Sequence, residues 1–212
     1  LTYLELDDAF NLNFDLNFGS LPKIFSFQTD SERHEFLRAY GLTYLKEEVW
    51  AEHLIQELEP FRKFLEIAAQ SNGKIINYSN IAQDVNVHAY TIKKYFQILE
   101  DTWLGFMLEP YSRSIRKRQK QNPKFYFFDL GVKRALERTL AQTIIENTQS
   151  YGNAFEHFVI LELIRLNEYL RKDFTFSYLR TKDDAEIDLI VDRPGQKTII
   201  AEIKSSSRVD ER

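Results

Sequence analysis

Apolar residues in the middle third of the chain follow first a helical and then a strand-like spacing. Three helices are predicted, in the segments PFRKFLEIAAQSNG, NYSNIAQDVNV and HAYTIKKYFQILEDTW, with Asn86 in a tight turn before the third. Pro60 lies near the start of the first helix and Gly73 follows its end, as helix termini favour. Two shorter apolar runs, LGFMLEP and KFYFFDL, predict strands.

This order of helix, short helix, turn, helix and hairpin is typical of a winged helix-turn-helix, in which residues 89–101 would form the recognition helix. The helical spacing directs one set of side chains to the core: Ile92, Tyr95, Phe96 and Leu99. It directs another set outward: Tyr90, Thr91, Lys93 and Lys94. Such a helix reads DNA in the major groove with phosphate contacts from Lys and Arg, but many winged helices dock proteins, and the pattern leaves both open.

The segment between the two predicted strands is basic in an acidic chain. The net charge is −4, yet Tyr111 to Lys124 contains six basic residues and no acid. A local basic run predicts one face for a polyanion, and its candidate contacts in the wing are Arg113, Arg116, Lys117, Arg118 and Lys120. The alternative is a solvated loop.

The ends of the chain have different patterns. Residues 1–30 predict short, aromatic-rich pieces, followed by a helix that Asp30 or Ser31 would cap. Residues 152–170 are apolar almost all round and predict a largely buried helix. A strand FTFSYLR and the two runs within AEIDLIVDRPGQKTIIAEIKSS complete the predicted elements.

The last two strands carry candidate chemistry. A symmetric reversal at Pro194-Gly195 pairs Val191 with Ile199 and Asp188 with Glu202. Opposed carboxylates repel, and a divalent cation bound by both would relieve the repulsion. Lys204, two residues after Glu202, would orient a water molecule or a phosphate.

Glu156 adds a further carboxylate on the apolar helix 152–170, where a charge is costly unless it is paired or coordinated. The residues therefore predict a Mg²⁺ site for phosphodiester hydrolysis, with Asp188 and Glu202 as metal ligands and Lys204 and Glu156 in catalysis. The alternative is an exposed Glu202–Lys204 pair that contributes little.

Spaced elements in the last third resemble the C-terminal, PD-(D/E)xK nuclease-like domain of a group of prokaryotic AAA+ family ATPases. The matching positions are Gly152, Phe155, Glu156, Arg180, Glu186, Asp188, Glu202 and Lys204. These ATPases carry a winged helix before that domain, and the segments FGSLPKIF and ERHEFLRAYGLTYLKEEV are similar to the end of their ATPase module. Gly-Ser stands here where the family has Gly-Gly.

The resemblance implies an α+β or α/β chain in three parts. Residues 1–53 would be the helical tail of the ATPase module, 54–140 the winged helix-turn-helix, and 141–212 a partial PD-(D/E)xK restriction-endonuclease-like domain. The chain starts at Leu1, has Met107 as its single Met and stops after a strand, so we expect a fragment. It has no phosphate-binding GxxxxGK[ST] loop, so ATP would bind in the intact parent protein, outside these residues.

Composition limits where the protein is expected to act and which partners it is expected to have. There is no Cys, no run of about 20 apolar residues and no leader-like start, so we expect a cytoplasmic protein without a membrane partner. The expected partners are DNA and the missing ATPase module. The alternative from a different class is a non-catalytic module of the ATPase that docks another protein.

Overall fold

The computed structural model describes residues 1–41, 57–112, 121–181 and 185–206. Within these ranges the chain is mixed α+β, with eight α-helices and one five-stranded mixed sheet. The helices are α1 Tyr3–Leu6, α2 Leu12–Phe18, α3 Asp30–Ala39, α4 Leu58–Gln70, α5 Tyr78–Val85, α6 Ala89–Asp101, α7 Leu130–Leu136 and α8 Gln149–Tyr169. The strands are β1 Gly105–Pro110, β2 Lys124–Phe127, β3 Thr175–Arg180, β4 Glu186–Asp192 and β5 Ile199–Ala201.

The N-terminal residues form short helices where the pattern predicted only short pieces. The cap of α3 differs from the expectation. Thr29, and not Asp30 or Ser31, is the N-cap residue, and its side chain accepts a hydrogen bond from the Glu32 N–H. The Glu32 carboxylate accepts hydrogen bonds from the Thr29 N–H and hydroxyl in return. This reciprocal pair is a capping box, which satisfies donors at both positions.

Helices α4, α5 and α6 pack around one aromatic core. Phe61 and Phe64 of α4 contact Tyr95 of α6, and Phe64 also meets Phe96 edge to face at 4.8 Å between ring centroids. Ile92, Tyr95, Phe96 and Leu99 are all buried, which confirms the predicted core face of α6. Asn86 ends α5 in the left-handed conformation at φ 62°, so the chain turns sharply into α6.

The sheet has the strand order β2-β1-β3-β4-β5. Strands β1 and β2 are antiparallel, as are β3 with β4 and β4 with β5. Strand β1 pairs with β3 in parallel, through Glu109 opposite Ser177 and Pro110 opposite Tyr178. A single sheet therefore joins the hairpin at residues 105–127 to the strands after residue 141.

Helix α8 covers one face of this sheet. Its Ile160 and Ile164 pack in a cluster with Leu108, Tyr178 and Leu189. Five of its residues are fully buried and most others are only half-buried, so α8 is less enclosed than its apolar sequence predicted.

His157 fixes α8 to the end of β2. Its ring lies between the Phe127 carbonyl, 2.7 Å from Nε2, and the Asn72 amide, 3.3 Å from Nδ1. Burial lowers the pKa of His157 to about 3, so the ring is neutral and Nε2 donates to Phe127. Within the described ranges no helix is long and apolar enough to cross a membrane.

Candidate functional site

The exposed face of α6 carries the predicted nucleic-acid residues that the structure describes. Tyr90 is 68% exposed, Lys93 and Lys94 are also exposed, and Thr91 is half-buried. The opposite face of the helix is in the core, so packing fixes the helix that presents these side chains. All five predicted wing residues lie outside the described residues: Arg113, Arg116, Lys117, Arg118 and Lys120.

Both lysines of this face lie against aromatic rings. The Lys94 ammonium is 4.8 Å from the centroid of Tyr90, and that of Lys93 is 5.2 Å from the centroid of Tyr78. In the described part of the chain neither lysine forms an ion pair. Together they present two uncompensated positive charges beside an exposed ring, which is chemistry suited to a nucleic-acid backbone.

The hairpin at the C-terminal end has the predicted register. Val191 lies opposite Ile199, Ile190 opposite Ile200 and Leu189 opposite Ala201. The register is confirmed as far as β5 extends, and Glu202 follows its last residue. The pairing of β3 with β4 shifts its register between Ser177 and Leu179 of β3. This shift lies next to Asp188 of β4.

The side chains after β5 alternate in direction. Ala201 and Ile203 pack against the cluster beneath α8, so Glu202 and Lys204 lie on the opposite face of the chain. They are 64% and 49% exposed, and their charged groups are 3.0 Å apart. Asp188 makes a different contact, because its Oδ2 accepts a hydrogen bond of 2.7 Å from the Ile203 N–H.

Glu156 enters a third set of contacts, centred on Lys124 at the start of β2. The Lys124 ammonium is 2.5 Å from Glu186 Oε1 of β4 and 3.5 Å from Glu156 Oε1 of α8. The Tyr126 hydroxyl donates to Glu156 Oε1 at 2.7 Å. Lys124 is only 3% exposed, so its charge is compensated almost entirely by protein groups. We call these four residues the Lys124 cluster.

The pKa values of two tyrosines reflect the burial and negative charge of this region. Burial raises the pKa of Tyr126 well above its usual value, and the carboxylates of Glu156, Asp188 and Glu186 raise it further. Burial and the charge of Glu186 raise the pKa of Tyr178 to about 12. Both hydroxyls therefore stay protonated at neutral pH and act as hydrogen-bond donors; Tyr178 donates to the Asn122 carbonyl at 2.6 Å.

The structure thus divides the four residues predicted for hydrolysis among three interactions. Asp188 holds a backbone amide, Glu202 and Lys204 pair with each other, and Glu156 belongs to the Lys124 cluster. Over the described residues, no group of three or more His, Asp or Glu side chains is arranged to hold a metal ion. As placed, the residues do not fit Mg²⁺, and Mg²⁺ binding stays a prediction.

Sequence reasoning missed Lys124 as a site residue. It counted Lys124 with the basic run of the wing, whereas the side chain is buried against the ring of Tyr178 at 5.4 Å. One signal was present: Lys124 begins the apolar run KFYFFDL, where a charged residue needs a partner.

Two family models match the chain, and both describe domains of unknown function. The chain belongs to the family of a domain of unknown function, DUF8612, whose model matches residues 10–143. A second domain of unknown function, DUF4143, matches residues 151–212.

The similar proteins are bacterial and archaeal. An uncharacterised protein of Mycobacterium tuberculosis is 26% identical over 178 residues, which are 84% of this chain and 40% of that protein. An uncharacterised protein of Methanocaldococcus jannaschii is 25% identical over 206 residues, 92% of this chain and 41% of that protein. The chain therefore spans about two fifths of the length of these relatives. No solved structure matches the chain significantly.

Proposed function

We propose that this chain is the nucleic-acid-engaging C-terminal region of an AAA+ family ATPase whose nucleotide-binding core lies elsewhere in the protein. The observation that carries the proposal is the exposed Tyr90, Lys93 and Lys94 face of α6, a helix whose other face is buried. Support for the ATPase context comes from DUF4143, which is often found in ATPase-associated proteins. The relatives are long enough to hold a further module.

The proposed binding mode is that of a winged helix-turn-helix. Helices α4, α5 and α6 are followed by the antiparallel pair β1 and β2, the order expected of that fold. In such a fold α6 enters the major groove, and Lys93 and Lys94 contact phosphates while Tyr90 adds an aromatic surface. The segment between β1 and β2 would be the wing.

DNA binding tests the proposal. Fluorescence anisotropy with a labelled duplex should show affinity that falls steeply as salt rises, because phosphate contacts release counterions. The double variant Lys93→Ala/Lys94→Ala should bind more weakly, with a salt slope smaller by about two.

A matched control is Arg62→Ala/Lys63→Ala, which removes the same charge from exposed adjacent positions of α4. It should bind DNA like the wild type. A wild type without salt-dependent affinity, or an equal loss in both double variants, contradicts the proposal. Either outcome would instead favour the alternative in which this region docks another protein. That alternative is supported by Trp103, which lies two residues after the end of α6 and is 84% exposed.

Phosphodiester hydrolysis by a PD-(D/E)xK-like domain is the second candidate. Its support is the confirmed hairpin register, which leads Glu202 toward the position across from Asp188. Calorimetric titration of Mg²⁺ into the wild type and Glu202→Gln tests this candidate. Binding by the wild type alone would support a metal site, whereas identical titrations without heat would exclude Glu202 as a ligand.

A further inference from the structure

A cavity of about 180 Å³ lies on the other side of α7 from the aromatic core. Its wall is formed by the end of α4 and the turn after it, by α7, by the segment leading to α8 and by the first turns of α8. The volume is far larger than one water molecule requires and smaller than sites for drug-sized ligands. The cavity therefore has room for a small polar molecule.

The wall of this cavity is positively charged. Lys74, Lys133 and Arg134 line it, and Glu137 is the single carboxylate among the lining residues that the structure describes. Glu137 pairs with Lys133 at 2.6 Å. Two positive charges therefore remain in excess at the cavity.

Arg134 is the buried member of this group, at 4% exposure. Among the described residues its guanidinium donates to neutral oxygens: the Asn17 carbonyl and side chain, the Thr139 carbonyl and the Gln142 carbonyl. None of the carboxylates that the structure describes forms an ion pair with it. Burial lowers the pKa of Arg134 to about 10, so the group keeps its charge at neutral pH. The charge of Glu137 opposes this shift in part, but Glu137 is already paired with Lys133. A buried cation that is only partly compensated is costly, and an anion in the cavity would offset that cost.

The cations are close enough to influence one another. Burial lowers the pKa of Lys133, and the charges of Arg134 and Lys74 lower it further, against the opposing effect of Glu137. Like charges held together in this way are destabilising by themselves. An anion between them would remove the repulsion.

The start of α8 adds to the positive potential. Ser150, Asn153 and Ala154 from its first two turns line the cavity, and the first turn contains no acidic residue. The N-terminal N–H groups of a helix and its dipole favour negative charge.

We propose that this cavity is a binding site for a small phosphate-bearing anion. A phosphate carries a charge of about −1.5 to −2 at neutral pH and accepts several hydrogen bonds, which suits two excess positive charges with polar neighbours. The site is separate from the exposed face of α6, so it does not depend on the proposed DNA contact.

Calorimetry with inorganic phosphate tests the proposal on the full chain, with sodium chloride at matched ionic strength as the reference. The wild type should bind phosphate saturably. Lys133→Gln and Lys74→Gln should each weaken binding about tenfold, because each removes a charge-assisted hydrogen bond. Lys74 is exposed, so its variant keeps the test valid if Lys133→Gln does not fold.

Arg138→Gln is the control, since Arg138 is 59% exposed, pairs with Glu66 and does not line the cavity. It should bind phosphate like the wild type. A parallel titration with ATP distinguishes the source of the phosphate group: tighter binding of ATP assigns a nucleotide, and equal binding assigns the phosphate group alone. No saturable binding of either, or full binding by Lys74→Gln, overturns the proposal.

Discussion

Lys124 and Lys204 are both paired with glutamate, but they occupy contrasting surroundings. The ammonium of Lys124, which begins β2, is buried against Glu186 of β4 and Glu156 of α8, and both partners are distant in the sequence. The Lys204 ammonium is half-exposed, and its partner Glu202 is two residues away on the same segment. The same side-chain chemistry therefore serves two purposes: the two ion pairs of Lys124 connect three elements of the fold, and the pair of Lys204 lies at the surface.

Burial decides the energetic weight of each pair. An exposed pair gains little, because water screens both charges and both side chains lose freedom. A buried ammonium has given up its hydration, so the loss of either partner leaves a charge without compensation. The following variants test this difference, beginning with the largest expected effect.

Lys124→Met should lower the free energy of unfolding by about 3 kcal/mol, measured by urea denaturation. The substitution leaves Glu156 and Glu186 together without their shared cation. The value lies at the low end for buried pairs because both glutamates keep partial contact with water. The double variant Lys124→Met/Glu186→Gln should recover part of the loss. Equal stability of Lys124→Met and the wild type would show that the Lys124 cluster does not contribute to the free energy of unfolding.

Asp15→Asn should stabilise the protein by about 2 kcal/mol at pH 8 and by little at pH 4. Burial, with the charges of Asp129 and Glu162, raises the pKa of Asp15 to about 7, and its Oδ1 has no hydrogen-bond partner among the residues that the structure describes. Since the folded pKa exceeds the unfolded value of 3.8, the contribution of Asp15 to stability is greatest below pH 3.8 and declines as pH rises toward 7.

The difference between the Asp15 variant and the wild type is the quantity to measure, by denaturation at each pH. His157 acts in the opposite sense, because its lowered pKa makes the protein less stable as pH falls below 6.5. Its contribution is common to both proteins and cancels. An effect of Asp15→Asn that does not change between pH 4 and pH 8 would contradict the role assigned to burial.

Glu202→Gln should change the free energy of unfolding by less than about 1 kcal/mol, the smallest effect in the series. The same denaturation experiment measures it beside Lys124→Met. A loss of stability comparable to that of Lys124→Met would mean that the exposure of the Glu202–Lys204 pair does not indicate how much it contributes to stability.

Local patterns predicted much of the fold. The core face of α6, the turn at Asn86 and the pairing of Val191 with Ile199 follow from spacing and turn chemistry within a few residues. Each of these features depends on neighbours in the sequence, which explains why they could be derived from it.

The contacts around Lys124 could not be predicted in this way. They require β2, β4 and α8 to meet, which depends on the parallel pairing of β1 with β3 across more than sixty residues of sequence. For the same reason Glu156 was predicted beside Asp188 and Glu202 but makes its contacts with Lys124 and Tyr126. The exposed pair of Glu202 and Lys204 corresponds to the alternative that the sequence left open beside the metal site.

The parallel pairing of β1 with β3 has a practical consequence for dissecting the protein. The two family matches end and begin near residues 143 and 151, which suggests a convenient place to separate the halves for expression. A piece that starts there would keep β3 but expose its hydrogen-bonding edge, and it would leave Glu156 and Glu186 without Lys124. Unprotected strand edges recruit other chains, so truncation at this point should yield aggregates rather than an autonomous domain.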